Sequence, residues 1–392
     1  MESPLVARMR PHSQSIFVDM SRLAQETQSV NLGQGFPDTD GPDELKAEAV
    51  RAIQSGDGNQ YPPAHGFPVL RSAVAAHQMR FYGIDLNPDT DVVATTGASE
   101  AIAATLLALV ETGDEVLIFD PAFDIYRASI DLAGATPVAV PFRAVPGHGL
   151  RPDVEQLAAA VTPRTKVLLM NSPHNPTGVV FTPEEMTAIA DIAIKHDLIM
   201  ISDEAYEHLW FEGHKHVPFA TLPGMFERTI TIGSGGKSFS FTGWKVGWAS
   251  GPANLISAVR AVRQHLSYVS GGPFQLAIAK GLTLPDDYFT GFRQTLQEKR
   301  DQLSQGLSNL GLAVFPTEGT YFLTTDISSL GFTNGMEFCR MLPHTYGVAA
   351  IPFQVFTESG TDLSQYVRWA FCKKPEVLDL AIERLAGLQQ KS

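Results

Sequence analysis

Cysteine is almost absent from this chain: its 392 residues include two, Cys339 and Cys372. A disulfide framework is therefore not indicated, and a reducing, cytoplasmic setting is expected. Basic residues are also in deficit, with 29 Lys and Arg against 42 Asp and Glu, a net charge of -13. No basic run is available to neutralise phosphates, so nucleic acid is not an expected partner. Long apolar runs are missing too. The longest, residues 101–110, is too short to span a bilayer, and no membrane partner is expected. Residues 1–14 hold no apolar segment of the leader type, so no secretory signal is expected. Internal repeats and low-complexity tracts are likewise not evident.

What is present is ordinary globular composition, 44% hydrophobic and 18% charged. The length predicts a large unit with a smaller one attached. Short apolar runs at 92–96, 115–120, 136–140, 166–171, 198–203, 229–233 and 246–250 alternate with helical patterns at 99–111, 125–133, 183–196 and 252–265. That alternation predicts an α/β fold with a mainly parallel sheet. Thr182, Pro183 and Glu185 form the pattern of a helix capping box. A long polar helix is expected at 286–310, strands near 321–325, 348–351 and 366–371, and a last helix at 375–388. The division expected is an N-terminal segment 1–45, loop-rich and packed on the small unit, a large domain 46–285, and a small C-terminal domain 286–392. In open α/β sheets ligands sit at the carboxyl ends of the strands. Gly97–Glu100, Phe123, Asn171–Asn175, Asp203–Tyr206 and Ser234–Lys237 all fall there.

Lys237 lies in Ser234-Gly-Gly-Lys-Ser238, directly after an apolar strand. An arbitrary lysine belongs to the solvated surface; this context points instead to an amine that holds an aldehyde. Pyridoxal phosphate (PLP) needs such an amine, an anion at its pyridine nitrogen, donors to its phenolate, a phosphate cradle and something flat against its ring. A Schiff-base lysine also needs a lowered pKa, which desolvation and neighbouring cations provide. Asp203 ends the strand before Glu204 and could be that anion, although an N-cap aspartate would look the same. Tyr206 and Asn175 could donate to the phenolate; Asn171-Ser-Pro-His-Asn-Pro-Thr-Gly178 is also what a plain turn contains. Gly97-Ala-Ser-Glu100 opens an apolar helix whose free N–H groups suit phosphate, with Ser234 and Lys245 adding a hydroxyl and a cation. Phe123 could stack on the ring or simply fill the core. Arg368 interrupts an apolar strand and could meet a carboxylate or a structural partner.

Competing motifs are incomplete. Gly236-Lys237-Ser238 resembles the end of a P-loop, but Thr231 stands where glycine is required. Gly97-Ala-Ser99-Glu-Ala101 is one glycine short of a nucleophile elbow. Gly33-Gln-Gly35 lacks the third glycine of a dinucleotide loop. Glu204 and His208 share one register without further metal ligands in sequence, so no metal is expected.

Together these segments resemble the class I/II aminotransferases, fold type I PLP enzymes, from about Arg10 to Leu388. Val30-Asn-Leu-Gly-Gln-Gly-Phe-Pro-Asp38, Ser202-Asp-Glu-Ala-Tyr-Glu-His208, Thr242-Gly-Trp-Lys-Val-Gly247 and Glu318-Gly-Thr-Tyr-Phe322 are similar to the kynurenine/glutamine/methionine aminotransferase group. Asn59-Gln-Tyr-Pro-Pro63, Leu266-Ser-Tyr-Val-Ser-Gly-Gly-Pro-Phe274 and Gly347-Val-Ala-Ala-Ile-Pro352 resemble N-succinyldiaminopimelate aminotransferases. The resemblance implies PLP on Lys237, with Asp203 at the pyridine nitrogen and Asn175 and Tyr206 at the phenolate. Ala98, Ser99, Glu100, Ser234 and Lys245 would surround the phosphate, and Phe123 the ring. Arg368, Asn175 and Gly35 would receive the substrate carboxylate, and Phe17 its side chain, with Tyr126, Tyr268 and Phe353 as further apolar walls. Tyr61 and Tyr268 would reach across from a second subunit, implying a homodimer with shared sites. Cis peptides before Pro121 and Pro176 are implied as well. The expected activity is transfer of an amino group from an L-amino acid, of neutral, apolar or aromatic type, to a 2-oxo acid. N-succinyl-L,L-diaminopimelate as donor, C–S β-elimination, and a non-catalytic PLP-binding role are the alternatives.

Overall fold

The computed structural model describes residues 4–358 and 362–388. An eight-stranded sheet organises the chain, in the order Val92–Thr95, Gly247–Ser250, Thr229–Ser234, Ile199–Asp203, Thr165–Asn171, Glu115–Asp120, Thr136–Val145, Gly149–Pro152. The strands from Thr229–Ser234 through Thr136–Val145 pair in parallel, while Gly247–Ser250 and Gly149–Pro152 run against their neighbours. These strands read as unbroken apolar runs because both faces are covered. Val116, Ile118, Val167, Leu169, Ile201 and Ile230 pack on one side, with helices Gly97–Leu109 and Ala253–Leu266 nearby. Leu117, Phe119, Leu168, Met170 and Met200 pack on the other, against Met186, Ile189 and Ala193 of helix Pro183–Lys195. That helix starts at the expected capping box: Thr182 Oγ1 accepts from Glu185 N, and Glu185 Oε2 accepts from Thr182 N.

A second, antiparallel sheet joins Ala313–Val314, Phe322–Asp326, Tyr366–Ala370 and Ile351–Pro352. The single strand expected at 348–351 is in fact two. Val348–Ala349 pairs with Val30–Asn31, and after Ala350 Ile351–Pro352 joins the other sheet. The N-terminal stretch is also less loop-like than its glycines and prolines suggested. Ile16–Glu26 is a helix with Met20 and Ala24 buried, and Ile16, Phe17 and Leu23 lie against the core that includes Val348, Ile351 and Trp369. The helical spacing of Ile16, Met20, Leu23 and Ala24 is the signal for it in the sequence. Helices Asp43–Ser55, Pro68–Tyr82, Gly272–Leu282 and Gly335–Thr345 were also not anticipated. Cis peptides precede Pro121 and Pro176, as the resemblance implied, and Pro173 as well.

One close approach joins the large sheet to the site. A Cβ at Gly247 would lie 2.7 Å from Gly97 C and 2.8 Å from Ala98 N, so only glycine lets this strand touch the start of helix Gly97–Leu109. Gly247→Ala is expected to lower stability by about 1–3 kcal/mol through overpacking. A guanidinium unfolding midpoint unchanged from wild type would show that the helix start can yield.

Candidate active site

The strand ends converge on a cavity of 480 Å³ whose lining includes Lys237, Asp203, Asn175, Tyr206, Ser234, Lys245, Phe123 and Arg368. Phe17, Gly35, Ala98 and Ser99 also line it. Lys237 sits in the single helical turn Gly235–Ser238 that follows strand Thr229–Ser234, where a tight turn throws its side chain over the sheet edge. Its Nζ lies 2.7 Å from the Tyr321 hydroxyl and 3.5 Å from Gly35 O. Burial pushes the amine down to about 8, with Arg368 and Lys245 adding to the effect while Cys372 and Asp203 oppose it. An uncharged amine is thus accessible near neutral pH.

Asp203 ends the next strand. Tyr126 OH donates to its Oδ2 at 2.6 Å and Ala205 N to its Oδ1 at 3.1 Å. Burial nevertheless raises its pKa, and among the described residues it has no ion-pair partner. A protonated ring nitrogen would supply the missing cation. Asn171 braces both neighbours: its Nδ2 donates to Asp203 O at 2.8 Å, and its Oδ1 accepts from Asn175 N at 2.7 Å.

Arg368 rises from strand Tyr366–Ala370 and is only 2% exposed. It donates to Asn175 Oδ1 at 2.8 Å and to Gly33 O at 2.9 Å, and lies 4.0 Å above the Phe322 ring centroid. Burial pushes it down to about 10. Its Nε has no hydrogen-bond partner among the described residues. A buried guanidinium with donors beyond these two bonds, in a cavity wall, fits a carboxylate.

Helix Gly97–Leu109 begins at the cavity without a side-chain cap on Thr96, which leaves the amides of its first turn to an incoming acceptor. A Cβ at Gly97 would stand 3.1 Å from Lys245 Nζ, so that ammonium lies directly over the helix start. Ser234 adds its hydroxyl to the same lining. These groups fit a phosphate, Lys237 fits an aldehyde and Asp203 a pyridinium, so the residues present match PLP.

Some expectations change. Glu100 does not line the cavity: Thr96 N donates to its Oε2, which also lies 3.6 Å from Arg263 Nε, so it is bound up behind the helix start. Phe353 is fully buried away from the cavity, in the core beneath the sheet. Tyr126 lines the cavity, but its hydroxyl serves Asp203. Tyr61 and Tyr268 are outside this lining, 79% and 49% exposed, and pack edge to face with centroids 5.4 Å apart. Tyr321 and Asp124 were missed as site residues, although Tyr321 stands inside a segment that carried the family resemblance, and Asn171, expected at the strand ends, gains a bracing role. His208, paired with Glu204 in sequence register, instead meets His77: their Nε2 atoms are 2.8 Å apart. Glu207 completes that buried group, held by Gln78 and raised to about 8 by burial, while Glu204 bonds His216.

A lysine, an aspartate and a helix start brought together at the strand ends of such a sheet define a fold type I PLP-dependent transferase. Comparison with known proteins places it further: the chain belongs to the aminotransferase class I and II family, which matches residues 27–385. It is 48% identical to the probable N-succinyldiaminopimelate aminotransferase DapC of Mycobacterium tuberculosis, over 98% of this chain and 99% of that protein. It is 38% identical to the methionine aminotransferase of Escherichia coli, over 95% and 96%. With kynurenine–oxoglutarate transaminase 3 of Mus musculus it shares 37% identity, over 94% and 87%. The solved structure of the M. tuberculosis N-succinyldiaminopimelate aminotransferase superposes with a TM-score of 0.96, covering 98% of this chain and all (100%) of that one, at 48% identity. The protein is an aminotransferase of the PLP-dependent class.

The lowered amine has a direct readout. Cofactor-free protein is expected to capture added PLP with a rate that climbs about tenfold per pH unit below pH 8 and levels above it, because only neutral Lys237 attacks the aldehyde. Stopped-flow absorbance from pH 6 to 9 tests this; a rate still climbing past pH 9 would show an unshifted lysine.

Proposed function

We propose that this aminotransferase takes L-amino acids with uncharged side chains, of the methionine, phenylalanine, glutamine and kynurenine type, as donors and a 2-oxo acid as acceptor. The observation that carries this is the inventory of cations in the cavity. The lining includes three, Lys237, Lys245 and Arg368, and each has a task. Lys245 lies at the phosphate cradle, Lys237 is the reacting amine and Arg368 awaits the α-carboxylate. None is left for a second carboxylate, and Asp124 adds a negative group to the same wall. Phe17, Phe36, Phe123 and Phe322 make up apolar surface instead. Methionine and kynurenine enzymes among the relatives are in keeping with this reading.

When bound, PLP carries the amino group between donor and acceptor and withdraws electrons from the donor's Cα. The chain's residues do the rest. Arg368, set by Asn175 and Gly33, orients the α-carboxylate and so aims the Cα–H bond. Lys237 Nζ takes up the Cα proton and later gives it up, general acid–base catalysis by one positioned amine. Asp203 would hold negative charge for the ring nitrogen, Tyr206 and Asn175 would serve the phenolate, and Phe123 would lie against the ring. Tyr61 and Tyr268, exposed in the single chain, belong in this reading to the partner's site across a twofold axis. Two unpaired buried thiols are in keeping with a reducing cytoplasm.

A second reading, N-succinyl-L,L-diaminopimelate as donor, rests on the 48% relative. It requires a cation from outside the described lining. Bleaching of the bound-PLP absorption by single donors, without acceptor, separates the two. Rapid bleaching by methionine, phenylalanine, glutamine and kynurenine is expected; bleaching by the succinylated donor alone would overturn the proposal.

Two substitutions test the roles. Lys237→Ala is expected to keep the fold and lose turnover by several orders of magnitude. Arg368→Lys is expected to raise the donor KM about 10- to 150-fold, the equivalent of a charge-assisted hydrogen bond at about 1.5–3 kcal/mol. A normal KM would make Arg368 structural.

A further inference from the structure

Among the described residues, Tyr321 is the one side chain hydrogen-bonded to the Lys237 amine, and neither the PLP services nor the donor contacts provide a role for it. Its hydroxyl has a single proton, and Tyr321 OH donates it to Gly35 O at 2.6 Å. The oxygen's lone pairs therefore face Lys237 Nζ, which donates to it at 2.7 Å. Ring packing holds the geometry: Tyr321 is 1% exposed, edge-on to Tyr206 at 5.3 Å and to Phe322 at 4.8 Å. Close packing requires glycine at residue 35, since a Cβ there would stand 2.9 Å from the Tyr321 ring and 2.4 Å from that of Phe322. Two residues earlier on the same segment, Gly33 O accepts from Arg368. Residues 33–35 thus anchor the carboxylate-binding guanidinium at one end and the lysine's hydroxyl partner at the other.

We propose that Tyr321 is a positioning residue for the free Lys237 amine: it accepts an N–H bond from Nζ and so favours the ammonium formed when Lys237 takes the donor's Cα proton. The inference rests on the reading of Lys237 as the base. The hydroxyl remains a hydrogen-bond acceptor throughout, and no proton leaves Tyr321, whose own ionisation burial pushes far above the ordinary phenol range. The other titratable groups around Nζ are Cys372, Asp203, Arg368, Lys245 and Tyr206. None of these makes a hydrogen bond to Nζ among the described residues.

The test is Tyr321→Phe, which removes one oxygen atom and keeps the ring. In the holoenzyme, kcat is expected to fall about ten- to a hundredfold, with donor KM within about twofold of wild type. Arg368→Lys shows the opposite split. In the cofactor-free full chain, the pH midpoint for PLP capture is expected to move below the wild-type value, because the ammonium has lost its acceptor. A merely structural role would change the unfolding midpoint and leave this pH midpoint in place. Wild-type kcat together with a wild-type capture midpoint in Tyr321→Phe would overturn the inference. If Lys237→Ala kept its turnover, the reading of Lys237 as the base would fail first; if Lys237→Ala were dead and Tyr321→Phe normal, only the role of Tyr321 would fail.

Discussion

A lysine amine that must be uncharged near neutral pH has to be taken out of water, and the rest of this site follows from that requirement. The cavity that lowers Lys237 also raises Asp203, because burial works against the charged form of both. The carboxylate is therefore given donors, Tyr126 OH and Ala205 N, while its remaining face waits for a cation. Arg368 is treated in the same way, with two acceptors provided and its Nε left open. Buried groups of both signs, each with only part of its hydrogen-bonding capacity met by the described residues, line one cavity.

The topology explains how so many groups from distant parts of the sequence come within reach of one another. The parallel strands deliver Asn171, Asp203 and Ser234 to one edge, and short turns then aim Asn175, Tyr206 and Lys237 across it. The second sheet brings Tyr321, Phe322 and Arg368 from the opposite side. Residues 33–35 lie between the two, bonded to Arg368 through Gly33 and to Tyr321 through Gly35. The Arg368 guanidinium and the hydroxyl beside the Lys237 amine are thereby referred to the same short stretch of backbone.

Much of this was legible in the sequence because the strands are buried on both faces. Residues 115–120 needed no correction, and the capping box at Thr182 formed as its letters said. Lys237, Asp203 and the helix start at Gly97 were visible since each directly follows or ends an apolar run. The failures have physical causes. Helix Ile16–Glu26 hides among turn-forming neighbours, and its burial depends on residues more than three hundred positions later. Ala350 carries no mark that would say a strand changes sheet there. Glu100 shares a helix turn with the phosphate cradle, yet its direction is set by buried Arg263, a contact that sequence spacing does not contain. Tyr321 looks like a core aromatic until its hydroxyl is seen between Gly35 and Lys237.

On the proposed reading a phosphate would meet the main-chain N–H groups of the helix start together with Ser234 and Lys245, and Gly97 and Gly247 secure the close packing of that backbone. The donor's side chain, by contrast, would on the proposed reading meet side chains of the cavity lining: Phe17, Phe36, Asp124 and Phe322. Cofactor anchoring and donor choice are consequently encoded in different materials. A lineage can exchange the pocket walls, and with them its diet of amino acids, while the cofactor stays moored to a backbone that most such exchanges do not touch.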